Sequence, residues 1–151
     1  RSARAAWRHR RPLRKDRRGA SLVEFAIGLP VLMLIGLGML KFGVAMSQYV
    51  MLTNAASSGA TALALARGTT TPYTTATTAI TSSAPSLKSG SITTTVKVNG
   101  TACTTNTGCA ALLTAGATAQ VTTTYPCDLS VLGVNYKANC TLSAQSAQMV
   151  Q

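Results

Sequence analysis

Acidic side chains are nearly missing from this 151-residue chain: Asp16, Glu24 and Asp128 are the three it has, and His9 is its one histidine. Each shortage excludes a chemistry. Beyond Gly19 there is no histidine, so neither a Ser-His-Asp nor a Cys-His arrangement can be assembled. Paired carboxylates for acid and base work would need Glu24 to leave the apolar run that holds it. A serine–lysine pair is formally available with Lys88, Lys97 or Lys137, but no motif frames a serine. There is no Walker A loop and no G-x-G-x-x-G to cradle phosphate. The reading is a non-enzyme with no catalytic residues and no cofactor.

Charge is scarce too, and unevenly spread. The net charge is +11, but residues 1–18 hold nine Arg/Lys and one Asp, whereas residues 19–151 hold five basic and two acidic residues. The basic character therefore belongs to a short leader around Trp7 and His9 that ends in Arg17-Arg18. A nucleic-acid arm is one reading of such a tail. A long apolar run follows directly, so the better reading is a cytoplasmic segment that orients a membrane helix by the positive-inside rule, with no nucleic-acid partner.

The run from Phe25 to Leu40, "FAIGLPVLMLIGLGML", carries no charge. As helix it covers about 24 Å, short of a ~30 Å hydrocarbon core, and continuing past a snorkelling Lys41 through "FGVAM" supplies the missing length. No small-x-small cleavage site follows, so an anchor is expected rather than a removed secretory signal. Beyond it the pattern turns one-sided. Phe42, Ala45, Met46, Tyr49, Leu52, Thr53, Ala56, Ala60 and Leu63 recur at three- and four-residue steps. Arg67 in a last turn and Gly68 as a left-handed cap predict the end of one helix from about Leu22 to Arg67.

Next comes a threonine-rich stretch over residues 69–90. Tyr73, Ala76, Ile80 and Ala84 at helical steps, with Thr71 as cap before Pro72, favour a short helix over 72–83. Eight threonines in residues 69–81 argue instead for an extended segment, because β-branching lowers helix propensity. Strands follow: "SITTTVKV" (91–98) before an Asn99-Gly100 hairpin turn, "ATAQVTTTY" (117–125), and a third within 140–150. Asn99-Gly100-Thr101 and Asn139-Cys140-Thr141 also match N-glycosylation sequons. Three or four strands with one apolar face need a cover, and the amphipathic half of the long helix supplies it. The expected fold class is α+β: a long N-terminal helix on a small antiparallel sheet, divided as leader 1–19, membrane half 20–46, amphipathic half 47–68, threonine-rich 69–90 and β domain 91–151.

All four cysteines, Cys103, Cys109, Cys127 and Cys140, lie in the C-terminal third. An even count in an exported-looking region reads as two disulfides with three possible connectivities. Local loop closure favours Cys103–Cys109 and Cys127–Cys140. C-x5-C and C-x12-C lack a tight zinc knuckle and have no neighbouring histidine, so no metal is expected.

That leaves Glu24, an acid inside oil. Insertion of such a group costs about 3 kcal/mol. One reading places it at the headgroups near the cytoplasmic end. The other uses Gly19: cleavage after it would make Ala20 a free α-amine with a pKa of about 8, one helical turn from Glu24. The acid could then pair with its own terminus or a neighbouring subunit's. Pro30 removes one helical hydrogen bond, and Gly28, Gly36, Gly38 and Gly43 suit either close packing in lipid or a helix that softens on extraction.

"RRGASLVEFAIGLPVLMLIGLGMLKFGVAMSQYVMLTNAASSGA" resembles the TadE-like family of minor pilins (pseudopilins) of the Tad/Flp tight-adherence type IV pilus system. The carrying elements are the basic leader, Gly19, Glu24-Phe25, Pro30, Phe42-Gly43 and Asn54-Ala55-Ala56 with Gly59-Ala60. Lys41 and Thr61 depart from the family, which favours an acid and an arginine there. The resemblance implies removal of residues 1–19 by a prepilin peptidase, leaving Ala20 first. It implies a single-pass protein of the inner membrane with its C-terminal domain outside the cytoplasm. The implied partners are the peptidase, other Tad pilins and the assembly platform, in a system serving adherence and biofilm formation. The rival from another class is a signal-anchored surface binding protein.

Overall fold

The computed structural model describes residues 17–131 and 133–151, and the side chains from Ser21 onward. The leader's residues 1–16, with Trp7 and His9, lie outside the described residues. The chain divides into two compact units, Arg1–Gly36 and Leu37–Gln151. What is described of the first unit is all helix, the N-terminal part of α1 (Arg17–Leu65). The helix therefore begins before the expected Leu22, and Pro30 sits inside it. Leu22, Phe25, Ile27 and Leu32 are all exposed. Residues 22, 27 and 32 follow one another at steps of about 140° around the axis at 100° per residue, so this stretch is oily all round.

In the second unit the remainder of α1 is one-sided. Leu52, Ala55, Ala56, Ala60 and Leu63 are fully buried, with Ala64 close behind. Thr53, expected on that stripe, is exposed and donates its hydroxyl to the Tyr49 carbonyl at 2.9 Å. Its hydroxyl is satisfied by the preceding turn and needs no partner from the core. Ala55, left off the expected stripe, takes an inward position. The helix stops at Leu65, so Arg67 lies beyond it in a turn. Gly68 has φ +78, the left-handed conformation expected of a glycine cap.

A helix, α2 (Pro72–Ser83), occupies the threonine-rich stretch. Its β-branched residues are accommodated because their hydroxyls bond back to the preceding turn. Thr75 donates to the Thr71 carbonyl at 2.8 Å, and Thr81 to Thr77 and Thr78 at 3.2 and 3.0 Å. Thr71 precedes Pro72 at the N-cap but makes no side-chain capping bond, contrary to its expected role. Pro72, Ala76 and Ile80 form the buried face. α2 lies so close to α1 that a methyl group built on Gly59 would overlap the Ile80 side chain.

The main sheet has four antiparallel strands in the order β2-β1-β3-β6. They are β1 (Thr93–Val98), β2 (Thr101–Ala102), β3 (Thr118–Pro126) and β6 (Thr141–Met149). Asn99 (φ 49) and Gly100 (φ 81) make the β1–β2 turn, both left-handed as a tight hairpin needs. β3 alternates cleanly: Ala119, Val121, Thr123 and Tyr125 are buried, and their neighbours are not. The sheet sends these residues, with Val96, Val98 and Ala144, into one core with the α1 stripe, Ala76 and Ile80. Thr123 is the one buried polar residue among those described, and its hydroxyl reaches the Leu52 carbonyl at 3.4 Å.

Two elements were not expected. A helix, α3 (Asn106–Leu112), fills the loop between β2 and β3, capped by the Thr105 hydroxyl accepting from the Gly108 N–H at 3.1 Å. Asn106 also holds the start of α2, its Oδ1 accepting from the Thr74 N–H at 2.9 Å. A two-stranded hairpin, β4 (Ser130–Val131) and β5 (Val134–Asn135), stands between β3 and β6.

Candidate anchoring and assembly site

The candidate site is the exposed apolar surface of α1 and the groups that bound it. Ser21–Leu65 contains an 18-residue window of mean hydropathy 2.1, with no residue of that window buried. This helix is long and apolar enough to cross a membrane, since about 20 residues span a ~30 Å core. Glu24 and Phe25 are both exposed on it, adjacent in sequence and therefore about 100° apart around the axis. Glu24 is the only charge from Ser21 to Leu40. Gly19 and Ala20 have helical backbone in the first turn of α1.

Pro30 lies inside α1 and lacks the N–H that would bond one turn back. A methyl group built on Gly28, Gly36, Gly38 or Gly43 would meet nothing within 4 Å. None of these four glycines is therefore required by packing among the described residues.

At the other end of the apolar run stands Lys41. Its ammonium pairs with the Asp128 carboxylate at 3.1 Å, in the segment that follows β3. Asp128 also accepts from the Ser130 backbone N–H at 2.9 Å. Hydrogen bonds from the Ser130 hydroxyl, then its N–H, and then Lys41 hold the Asp128 carboxyl down at about 2, below its ordinary 3.8. Sequence reasoning read Lys41 as a snorkelling residue and gave Asp128 no role. The signal it had was that these two opposite charges are among the few in residues 19–151.

Beside this ion pair Phe42, Ala45, Met46 and Tyr49 form an open apolar hollow with Leu129 and Leu142. Phe42, Met46 and Tyr49 were expected to face the domain, yet they remain exposed. β3 ends at Pro126 and β6 begins at Thr141, so this part of the helix meets the connecting loop and the first residues of β6.

Disulfides join Cys103 to Cys109 and Cys127 to Cys140, with Cα separations of 5.2 and 5.1 Å. The first ties α3 to the end of β2 and puts Cys109 in the core. The second closes the loop that carries Asp128 and the small hairpin, while Cys127 N–H donates to the Cys140 carbonyl at 3.0 Å. Among the described residues, no group of three His, Cys, Asp or Glu is placed to hold a metal ion.

Comparison with known proteins places residues 19–61 in a match to the family described as TadE-like protein. That segment runs from the glycine before Ala20 to the middle of the buried stripe. No curated protein and no solved structure matches the chain.

Proposed function

From a chain whose residues 19–61 are TadE-like, which ties it to Tad pilus systems in general, we propose a minor pilin or pseudopilin of a Tad (Flp-type) type IV pilus. The observation that carries this reading is a coincidence of boundaries. The family match opens at Gly19, and from Ser21 to Leu40 the helix exposes apolar side chains with Glu24 as their single charge. The first half of α1 is the anchor, single-pass in the inner membrane, with the sheet domain outside the cytoplasm. A prepilin peptidase removes residues 1–19 and leaves Ala20 at the amino terminus.

Cleavage then does electrostatic work. It takes away the basic leader and creates a cation one turn from Glu24. In a low-dielectric surrounding an unpaired carboxylate is costly, so Glu24 finds its counter-charge in its own terminus or in that of a neighbouring subunit. Phe25, beside it, packs against the neighbouring helix. Oily surfaces of adjacent helices replace lipid as subunits join the pilus and its assembly platform. The protein acts as a structural subunit in adherence and biofilm formation.

N-terminal sequencing of the protein from its native host is expected to begin at Ala20. Glu24→Gln is expected to leave insertion and cleavage largely intact while lowering incorporation into pili. A native chain that keeps its arginine leader, or normal piliation by the Gln variant, would overturn the charge-pairing mechanism.

A further inference from the structure

We infer that the loop closed by Cys127–Cys140 is a lipid-contacting foot, resting on the bilayer surface where α1 emerges. The inference rests on the reading that the first half of α1 spans a membrane. Three observations within the second unit carry it.

The first is height along the helix. Thr123 of β3 touches the Leu52 carbonyl, and Asp128 pairs with Lys41. From Thr123, the strand to Pro126 and the two residues after it cover at most about 17 Å at ~3.3 Å each. The helix between Lys41 and Leu52 covers about the same distance at 1.5 Å per residue. β3 therefore runs down α1 towards the apolar run and brings Asp128 level with the residue that ends it. The described residues between Leu129 and Asn139 are attached at that end of the sheet.

The second is what the loop displays. Val134 and Tyr136 are exposed by 59% and 65%, and Phe42 on the adjacent helix by 67%. Among the described residues outside α1, the other large apolar residue so exposed is Met149, at the opposite end of β6. A tyrosine with an aliphatic neighbour suits the headgroup layer, wet at one end and apolar at the other.

The third is charge. Lys137 follows Tyr136, and among the described residues no carboxylate pairs with it. Asp128, the loop's one acid, is engaged by Lys41. The loop thus offers a free cation to anionic lipid headgroups.

The bilayer exit then falls at Leu40. Ser21–Leu40 spans about 30 Å as helix, enough for the hydrocarbon core without the stretch through Met46. The Lys41–Asp128 pair stands at the surface and pins the foot to α1 at Lys41.

The test uses the full chain with Trp7→Phe, carrying one new tryptophan at a time, in vesicles of phosphatidylethanolamine and phosphatidylglycerol. Lipids bearing a quencher at the headgroup or deep in the acyl chain report depth. Leu32→Trp probes the anchor, Tyr136→Trp the foot, and Ala115→Trp the opposite end of β3. The expected result is deep quenching for Leu32→Trp and headgroup quenching of about half the emission for Tyr136→Trp, with Ala115→Trp unaffected. Tyr136→Trp left unquenched while Leu32→Trp is quenched would overturn the foot and leave the anchor standing. An unquenched Leu32→Trp would remove both. Equal quenching at Ala115→Trp, or shielding at Tyr136→Trp that grows with the protein-to-lipid ratio, would also overturn it, the latter assigning the patch to a second copy of the chain.

Discussion

Residues 21–40 and residues 52–64 of α1 draw on the same small and aliphatic side chains. In the first stretch no described residue is buried, while in the second Leu52, Ala55, Ala56, Ala60 and Leu63 are sealed from solvent. The glycines make the contrast sharper. Gly59 is present because Ile80 of α2 occupies the space a methyl would fill, whereas Gly28, Gly36 and Gly38 face nothing. Composition alone does not separate a membrane-facing helix from a core helix. What separates them is whether the rest of the chain supplies a surface to pack on. The second stretch meets its partner within the chain; the first meets none among the described residues.

The largest expected effect breaks the second stretch. Leu63→Ala removes a fully buried side chain between the sheet and the helices, and should destabilise the domain by about 2–5 kcal/mol. Leu32→Ala, on the exposed stretch, should leave unfolding of the domain unchanged within about 0.5 kcal/mol. Denaturant titration of the full chain in detergent micelles, followed through tertiary signals of the domain, measures both. Equal losses from the two variants would mean that the first stretch has a partner in the chain after all.

A smaller effect comes from the glycines. Gly59→Ala must push Ile80 aside and should cost about 1–3 kcal/mol. Gly36→Ala meets no obstacle and should raise helix stability by up to about 1 kcal/mol. If Gly36→Ala nonetheless lowers piliation, the glycine serves contact between subunits or softening of the helix. Hydrogen exchange across 28–43 in assembled filaments separates these two, since rigid protection there excludes softening.

How far the fold could be read from sequence follows the same division. One-sided periodicity marked the second half of the long helix, and alternation marked β1 and β3, because each of these hides one face. Asn99-Gly100 announced its turn through the backbone conformation it requires. The short helix over 72–83 stayed open between two readings, since the threonine hydroxyls that support it act through the backbone and leave no periodic trace. α3 and the β4–β5 hairpin were missed altogether. Seven residues and two strands of two are too short for a period, and each element lies on a stretch closed by a disulfide. Of the candidate site, the apolar run and Glu24 stood out by contrast. The Lys41–Asp128 pair did not, because partners 87 positions apart are joined only by the sheet's register.

The smallest expected effect concerns that pair, which marks the border between the two stretches. The Asp128 carboxyl is held at about 2 in the folded protein against an ordinary 3.8, by Ser130 first and Lys41 after it. A depressed carboxyl pKa stabilises the fold in the ionised state, so the contribution is fully present above 3.8 and is lost as pH falls through about 2. Both partners are substantially exposed, which keeps the energy small and sensitive to salt. Stability of the full chain in micelles should therefore fall across that acid range, and Asp128→Asn should flatten the fall. Lys41→Met should flatten it only in part, because Ser130 continues to hold the carboxylate. If Lys41→Met abolishes the pH dependence entirely, the helix rather than the local turn governs Asp128, and the loop is fastened to α1 more tightly than its hydrogen bonds suggest.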